Sequence, residues 1–353
     1  MDSKNVIYAL TEADFAELDK IDAKGYYAID VSDICFSDLF YDPWDALRAI
    51  RNRIKNTKLM ICLRGQSLLA RRHYADDTVD FFIEKAMENG IDILRIYDAL
   101  GDPRNLEAPM KSAKKYGLHA EAAMVYTESP VHSISLFAGY AAQLASMGAD
   151  SICVCDMANE FVCRELVELI KESLSIPLSV SAPSEEICAI ALDAGADKVD
   201  VYNNKVYSDE LFTEMGNIRA DAGFAPLAAP ISDIIAEQAM INLRTSERYE
   251  TVTNDFKLLV RGGFGRTPAP IAQEFVKKIC GNEPLILVRP ADTLATEFEM
   301  LREKTAGWIE QEEDILTYAL FDDEAVRFFE NRKAKKYSLD APHAKAEKGI
   351  HTV

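Results

Sequence analysis

The chain has no apolar run near the roughly 18 residues that a membrane-crossing helix needs, so direct membrane insertion is not expected. Histidine is scarce. There are five, His73, His119, His132, His343 and His351, and none stands in an HxH or HExxH spacing. That removes the most familiar sequence signatures of a metal centre. Cations are outnumbered, with 39 Lys and Arg against 58 Asp and Glu, for a net charge of −19. Such a field repels nucleic acid and anionic membrane surfaces, so neither is an expected partner. Cysteine is sparse and odd in number. The seven sit mostly inside apolar runs such as LMICL and DSICVC, as buried free thiols do in a reducing compartment. The opening residues, MDSKNVIYAL, have no basic stretch leading into a long apolar one. No signal peptide is expected, and the expected location is cytoplasmic. No GxGxxG follows a first strand, which leaves a dinucleotide fold without its fingerprint.

One unit recurs from Gly25 to about Tyr202: an amphipathic helix, then a glycine, then a short β-rich run. The glycines are Gly25, Gly90, Gly117, Gly148 and Gly195, placed where a left-handed residue ends a helix. The runs after them are YYAIDV, DILRIYD, LHAEAAMVY, DSICVCD and DKVDVYN. KLMICL and IPLSV bring the strands to seven, and VIYAL, residues 6–10, is a candidate first strand. Short, mostly apolar runs suit parallel strands covered on both faces. The alternation predicts an α/β fold, a TIM (β/α)8 barrel that is complete or near-closed, with an open doubly wound sheet as the alternative. After Asn204 helical stretches dominate, broken by the turn-rich RGGFGRTPAPI. The expected organisation is a barrel over 1–205, a mostly helical region over 206–332 and a loose polar tail over 333–353.

Several strings resemble the carboxyltransferase subunits of biotin-dependent enzymes. They include Asp42-Pro43-Trp44, Leu63-Arg64-Gly65-Gln66-Ser67-Leu68-Leu69 and Arg95-Ile96-Tyr97-Asp98-Ala99-Leu100. Tyr126-Thr127-Glu128-Ser129-Pro130-Val131-His132 follows them, then Gly262-Gly263-Phe264-Gly265-Arg266-Thr267-Pro268-Ala269-Pro270 and Arg289-Pro290-Ala291-Asp292. The similarity is greatest to the oxaloacetate decarboxylase α subunit and the separate B subunit of pyruvate carboxylase. It implies a TIM barrel with a helical funnel domain and a divalent metal at the strand ends. In that family the metal is held by an Asp after strand one, a carbamylated Lys after strand six and a His-x-His pair on strand seven. A Thr after strand eight relays a proton, and an Arg ending strand three holds the substrate carboxylate.

The departures fall on the chemistry. VIYALTEAD has no counterpart to the family's Leu-Arg-Asp-x-x-Gln string. The family's Lys falls on Cys155, and its two His fall on Ser181 and Pro183. The string with the relay Thr is missing, and Tyr202-Asn203-Asn204 runs almost directly into the later helices. Arg64, with Gln66 and Asp98 near it, remains as a substrate-binding remnant. Forming an enolate needs a Lewis acid or a preorganised donor cluster. A hydroxyl and a proline do not replace two imidazoles, and a thiol is not carbamylated as an amine is.

Blander readings stand beside these. Arg64 can pair with a nearby acid such as Asp98 and brace the barrel mouth. Cys153 and Cys155 can join Cys62 or Cys188 around a soft metal, but buried cysteines more often act as small hydrophobes. RGGFGRTPAP reads as a structural turn rather than a phosphate loop. Gln311-Glu312-Glu313-Asp314 reads as an acidic helix start. No Met-Lys-Met biotinyl string is present, so by the resemblance biotin is expected only on a partner protein. The expected function is a non-catalytic carboxyltransferase-like subunit with no metal or biotin of its own. It would work as a homodimer, or as a heterodimer with an active paralogue, alongside a biotin carrier protein. The alternatives are an active subunit acting on pyruvate or oxaloacetate, and a small-molecule sensor.

Overall fold

A computed structural model describes residues 11–156, 164–202 and 207–336. Seven parallel strands and their helices form an α/β half-barrel. The strands are β1 (Ala28–Asp30), β2 (Lys58–Leu63), β3 (Ile93–Tyr97), β4 (His119–Tyr126), β5 (Ser151–Asp156), β6 (Leu178–Ala182) and β7 (Lys198–Val201). Their order in the sheet is their order in the chain. Each of the seven β-rich runs contributes one strand. The candidate strand at residues 6–10 lies outside the described residues, so the sheet has seven strands where a TIM barrel has eight. Among the described residues no strand follows β7.

The chain forms two compact units. One comprises Met1–Ile61, Glu84–Asp92 and Thr296–Val353. In it β1 pairs in parallel with the start of β2, Ala28 opposite Lys58. The helix Glu12–Lys24 starts on a capping box between Thr11 and Asp14. The helix Pro43–Arg53 starts at Asp42, whose carboxylate accepts from the backbone N–H of Trp44 and Asp45. The Trp44 ring is fully buried, and its indole N–H donates to Thr317 Oγ1 at 3.1 Å.

The acidic run before the helix Asp314–Phe321 does more than complement a dipole. Glu312 pairs with Lys85 at 2.8 Å, and Glu313 accepts from Asn89 at 3.0 Å. Asp314, fully buried, is gripped by Arg332, which also reaches Asp42 at 2.9 Å. The reason is proximity: packing brings cations within contact distance of these carboxylates, and a charge-assisted bond outweighs a screened helix end. The helix Asp323–Lys336 extends four residues into the segment expected to be a loose tail.

The second unit comprises Cys62–Ile83 and Ile93–Ala295. It holds β3 to β7 and the helices Asp209–Asp221, Ile231–Asn242, Asn254–Val260 and Gln273–Cys280. The secondary structure changes character after β7, as the sequence predicts, yet the later helices group with these strands. One apolar cluster runs through both, taking in Ala123, Val125, Cys153 and Cys155 with Met215, Ile218, Ile231 and Ile235. The Gly-rich string is a structural turn. Gly265 has φ +116, and a Cβ there would lie 2.7 Å from Asn105 Nδ2 and 2.9 Å from Asp102 Oδ2. The turn is held by the Arg266 N–H, which donates to Asp102 at 2.8 Å.

Candidate functional site

Parallel α/β sheets place their sites at the carboxyl ends of the strands. In the second unit the register sets Arg95 opposite Glu121, Cys155 opposite Ser181, and Ser181 opposite Asp200. Residues two apart share a face. One face of the sheet therefore carries Arg95 and Tyr97, Glu121, Cys153 and Cys155, Ser179 and Ser181, and Asp200.

The charged groups on this face form an ion-pair network. Arg95 Nε donates to Glu121 at 2.6 Å, and its Nη1 and Nη2 donate to the two Asp200 oxygens at 3.1 and 2.8 Å. Glu121 also accepts from Ser179 Oγ at 2.7 Å. Ser181 Oγ donates to Asp200 at 2.6 Å. Burial works against the Arg95 charge, but the Glu121 and Asp200 carboxylates around it hold its pKa well above the ordinary value. Arg95 is a permanent cation, and the Ser181 hydroxyl is spent on its counter-ion.

The cysteines on the same face lie in apolar packing. Cys153 and Cys155 are 0% and 1% exposed, their sulfurs 3.6 Å apart, and both belong to the cluster that includes the later helices. Burial pushes the Cys153 thiol far up, so it is neither a thiolate ligand nor a nucleophile. The later helical region also reaches the strand ends through polar contacts. The Tyr97 hydroxyl donates to the Ala229 carbonyl at 3.0 Å, and Arg219 donates to the Glu128 carbonyl at 2.8 Å.

Gln66 and Asp98 serve their own loops, and Arg64 serves its loop and the Tyr97 hydroxyl. Arg64, just past β2, donates to the Leu69 and Ala70 carbonyls at 3.0 and 3.3 Å. No contact with Asp98 accompanies this. The expected Arg64–Asp98 brace is replaced by loop carbonyls, while Asp98 is engaged by donors of its own turn. Asp98 accepts from the N–H of Leu100 and of Asp102, at 2.9 and 2.8 Å, and from Asn105 Nδ2 at 2.8 Å. Gln66 is fully buried, and its amide N–H donates to the Tyr74 carbonyl at 2.9 Å and to Asp76 at 2.8 Å.

Burial raises the Asp98 carboxyl to about 7, against the hydrogen bonds that favour its anion. Between about pH 4 and pH 7 the folded chain then keeps a proton that the unfolded chain has lost. The contribution of this group to stability therefore falls as pH rises through that window. In Asp98→Asn this part of the slope is expected to disappear. Urea melts at about pH 5 and about pH 8 test it; an unchanged difference between the two pH values would contradict it.

A hard divalent ion needs converging oxygen or imidazole donors. Ser181 offers a single neutral hydroxyl whose hydrogen goes to Asp200, Cys155 lies in apolar packing, and Pro183 has no donor. Among the described residues no three His, Cys, Asp or Glu are placed to hold a metal, and that covers the soft site considered for the cysteines. The residues at these positions do not fit the metal that the resemblance implies. The network of Arg95, Glu121 and Asp200 is the feature that sequence reasoning missed. Its signal is a charge inside each of three apolar strands, in DILRIYD, LHAEAAMVY and DKVDVYN.

A family model described as a conserved carboxylase domain matches residues 203–351. The chain is 35% identical over 410 aligned positions to the B subunit of pyruvate carboxylase from Methanocaldococcus jannaschii, covering 88% of this chain and 72% of that one. It is 30% identical to the methylmalonyl-CoA carboxyltransferase 5S subunit of Propionibacterium freudenreichii, covering 90% and 83%. In the first alignment 88% of 353 residues is about 310, so about 100 aligned positions of the relative face a gap here. Among solved structures, a carboxyl transferase domain variant of Rhizobium etli pyruvate carboxylase with pyruvate has a TM-score of 0.79 at 16% identity, over 93% of this chain and 76% of that one. The wild-type domain has a TM-score of 0.75 at 19% identity, over 89% and 71%.

Proposed function

We propose that this chain, which belongs to the carboxyltransferase family of biotin-dependent enzymes, acts as a non-catalytic subunit of a biotin-dependent pyruvate carboxylase or oxaloacetate decarboxylase assembly. The observation that carries the proposal is the use made of the catalytic positions. Ser181 completes an ion-pair network through Asp200, and Cys155 is part of an apolar core. A neutral hydroxyl and a buried thiol are poor replacements for an imidazole and a carbamylated lysine as ligands of a hard metal ion. The second reading, a working subunit, rests on the 35% identity to a named pyruvate carboxylase subunit. The commitment of the donor atoms favours the first.

In this reading biotin and metal belong to other chains. The partner is a second copy or an intact carboxyltransferase paralogue, with a biotin carrier protein in the same assembly. Purified alone, the chain is expected to decarboxylate oxaloacetate no faster than buffer holding the same divalent ion, which promotes the reaction by itself. A rate that saturates with substrate and falls on Arg64→Ala would establish the working-subunit reading instead. Light scattering of the chain alone and mixed with an intact paralogue tests the pairing. A monomer under both conditions would leave the partner role without support.

A further inference from the structure

The first compact unit contains a site that the family resemblance does not explain. A cavity of about 750 Å³ is lined by the helices Pro43–Arg53 and Asp323–Lys336. That size is typical of small-molecule pockets, roughly 300–1,000 Å³. Its lining includes the rings of Phe15, Phe40 and Phe328, and the space is left by the small side chains of Ala46 and Ala49. Phe40 stands 63% exposed at this site.

The charges along the cavity sort into spent and available groups. Asp42 is taken by Arg332 at 2.9 Å and Asp45 by Arg48 at 2.6 Å. Glu324 and Lys335 lie in the first and last turns of their helix, where each complements the dipole, and with Arg327 they leave one positive charge in excess. Arg327 and Lys335 also line the cavity, eight residues apart on one side of that helix. Neither has a carboxylate partner among the described residues.

We infer that this cavity binds a small amphipathic anion, an aromatic or medium-chain carboxylate. Its apolar body lies against the phenylalanine rings, and its acid group meets Arg327 or Lys335. The apolar body gains from burial, and a guanidinium offers a carboxylate two parallel donors. A cationic ligand would meet two cations against the single acid Glu324, and a sugar would leave its hydroxyls against rings.

The test uses the full chain and the dye anilinonaphthalene sulfonate, with decanoate as competitor. One saturable site per chain, emptied by decanoate, is expected. Ala49→Trp fills the cavity and should abolish binding. Arg327→Glu combined with Lys335→Glu should weaken it about tenfold or more. Arg302→Glu, outside the lining, should leave it unchanged. Circular dichroism and melting curves check that each variant is folded. Non-saturating dye binding would overturn the inference, as would binding that folded Ala49→Trp and the double variant retain at parental strength.

Discussion

Arg95→Ala is expected to be among the most destabilising single substitutions in the strand core, costing roughly 3–5 kcal/mol. The reason is what it leaves behind. Glu121 is 3% exposed and has its closest ionic contact, 2.6 Å, with Arg95. Without the guanidinium that carboxylate is a buried anion held only by serine hydroxyls. Removing one partner of a buried pair strands the other without compensation, and that makes the substitution costly. Exposed pairs such as Lys20–Glu17 should cost no more than about 1 kcal/mol when broken. Urea melts decide the matter. A loss for Arg95→Ala as small as that of the exposed pair would show that the network does not hold the sheet. Replacing Arg95 and Glu121 together by leucine should restore part of the loss, since no charge is then stranded.

Cys155→Lys puts back the residue type that the family resemblance implies at this position. It is expected to damage the fold rather than restore a site. The position is 1% exposed, its sulfur is 3.6 Å from that of Cys153, and it belongs to the apolar cluster with Met215 and Ile231. A lysine is longer than the space allows and brings an ammonium into apolar packing. The expected loss is roughly 3–5 kcal/mol, near the top of the range for single substitutions. Cys155→Val, which keeps the position small and apolar, should cost roughly 1 kcal/mol or less. A lysine variant as stable as the parent would mean that the strand ends are open, and that the mouth retains room for a metal-binding side chain.

Much of the fold was legible in the sequence because helix ends and parallel strands leave local marks. Glycines closing helices and short apolar runs between them located all seven strands. The resemblance then supplied the family from strings spread over most of the chain. The site was legible only in the negative. Cys155, Ser181 and Pro183 could be seen to lack the expected donors, but what they do instead depends on register. Ser181 meets Asp200 only because β6 and β7 are neighbours in parallel, and Arg95 reaches Glu121 only across the β3–β4 pair. The Arg64–Asp98 pairing failed for a similar reason. Asp98 was matched by backbone N–H groups of its own turn, a geometry that residue types do not announce.

In the proposed non-catalytic role the strand ends have exchanged a metal site for a packed core. Metal content after loading tests it most directly. The purified chain would be incubated with zinc, manganese or cobalt, freed of unbound ion and analysed by elemental mass spectrometry. Far less than one equivalent is expected, with no change on Ser181→Ala. About one ion per chain, lost on Ser181→Ala, would contradict the claim.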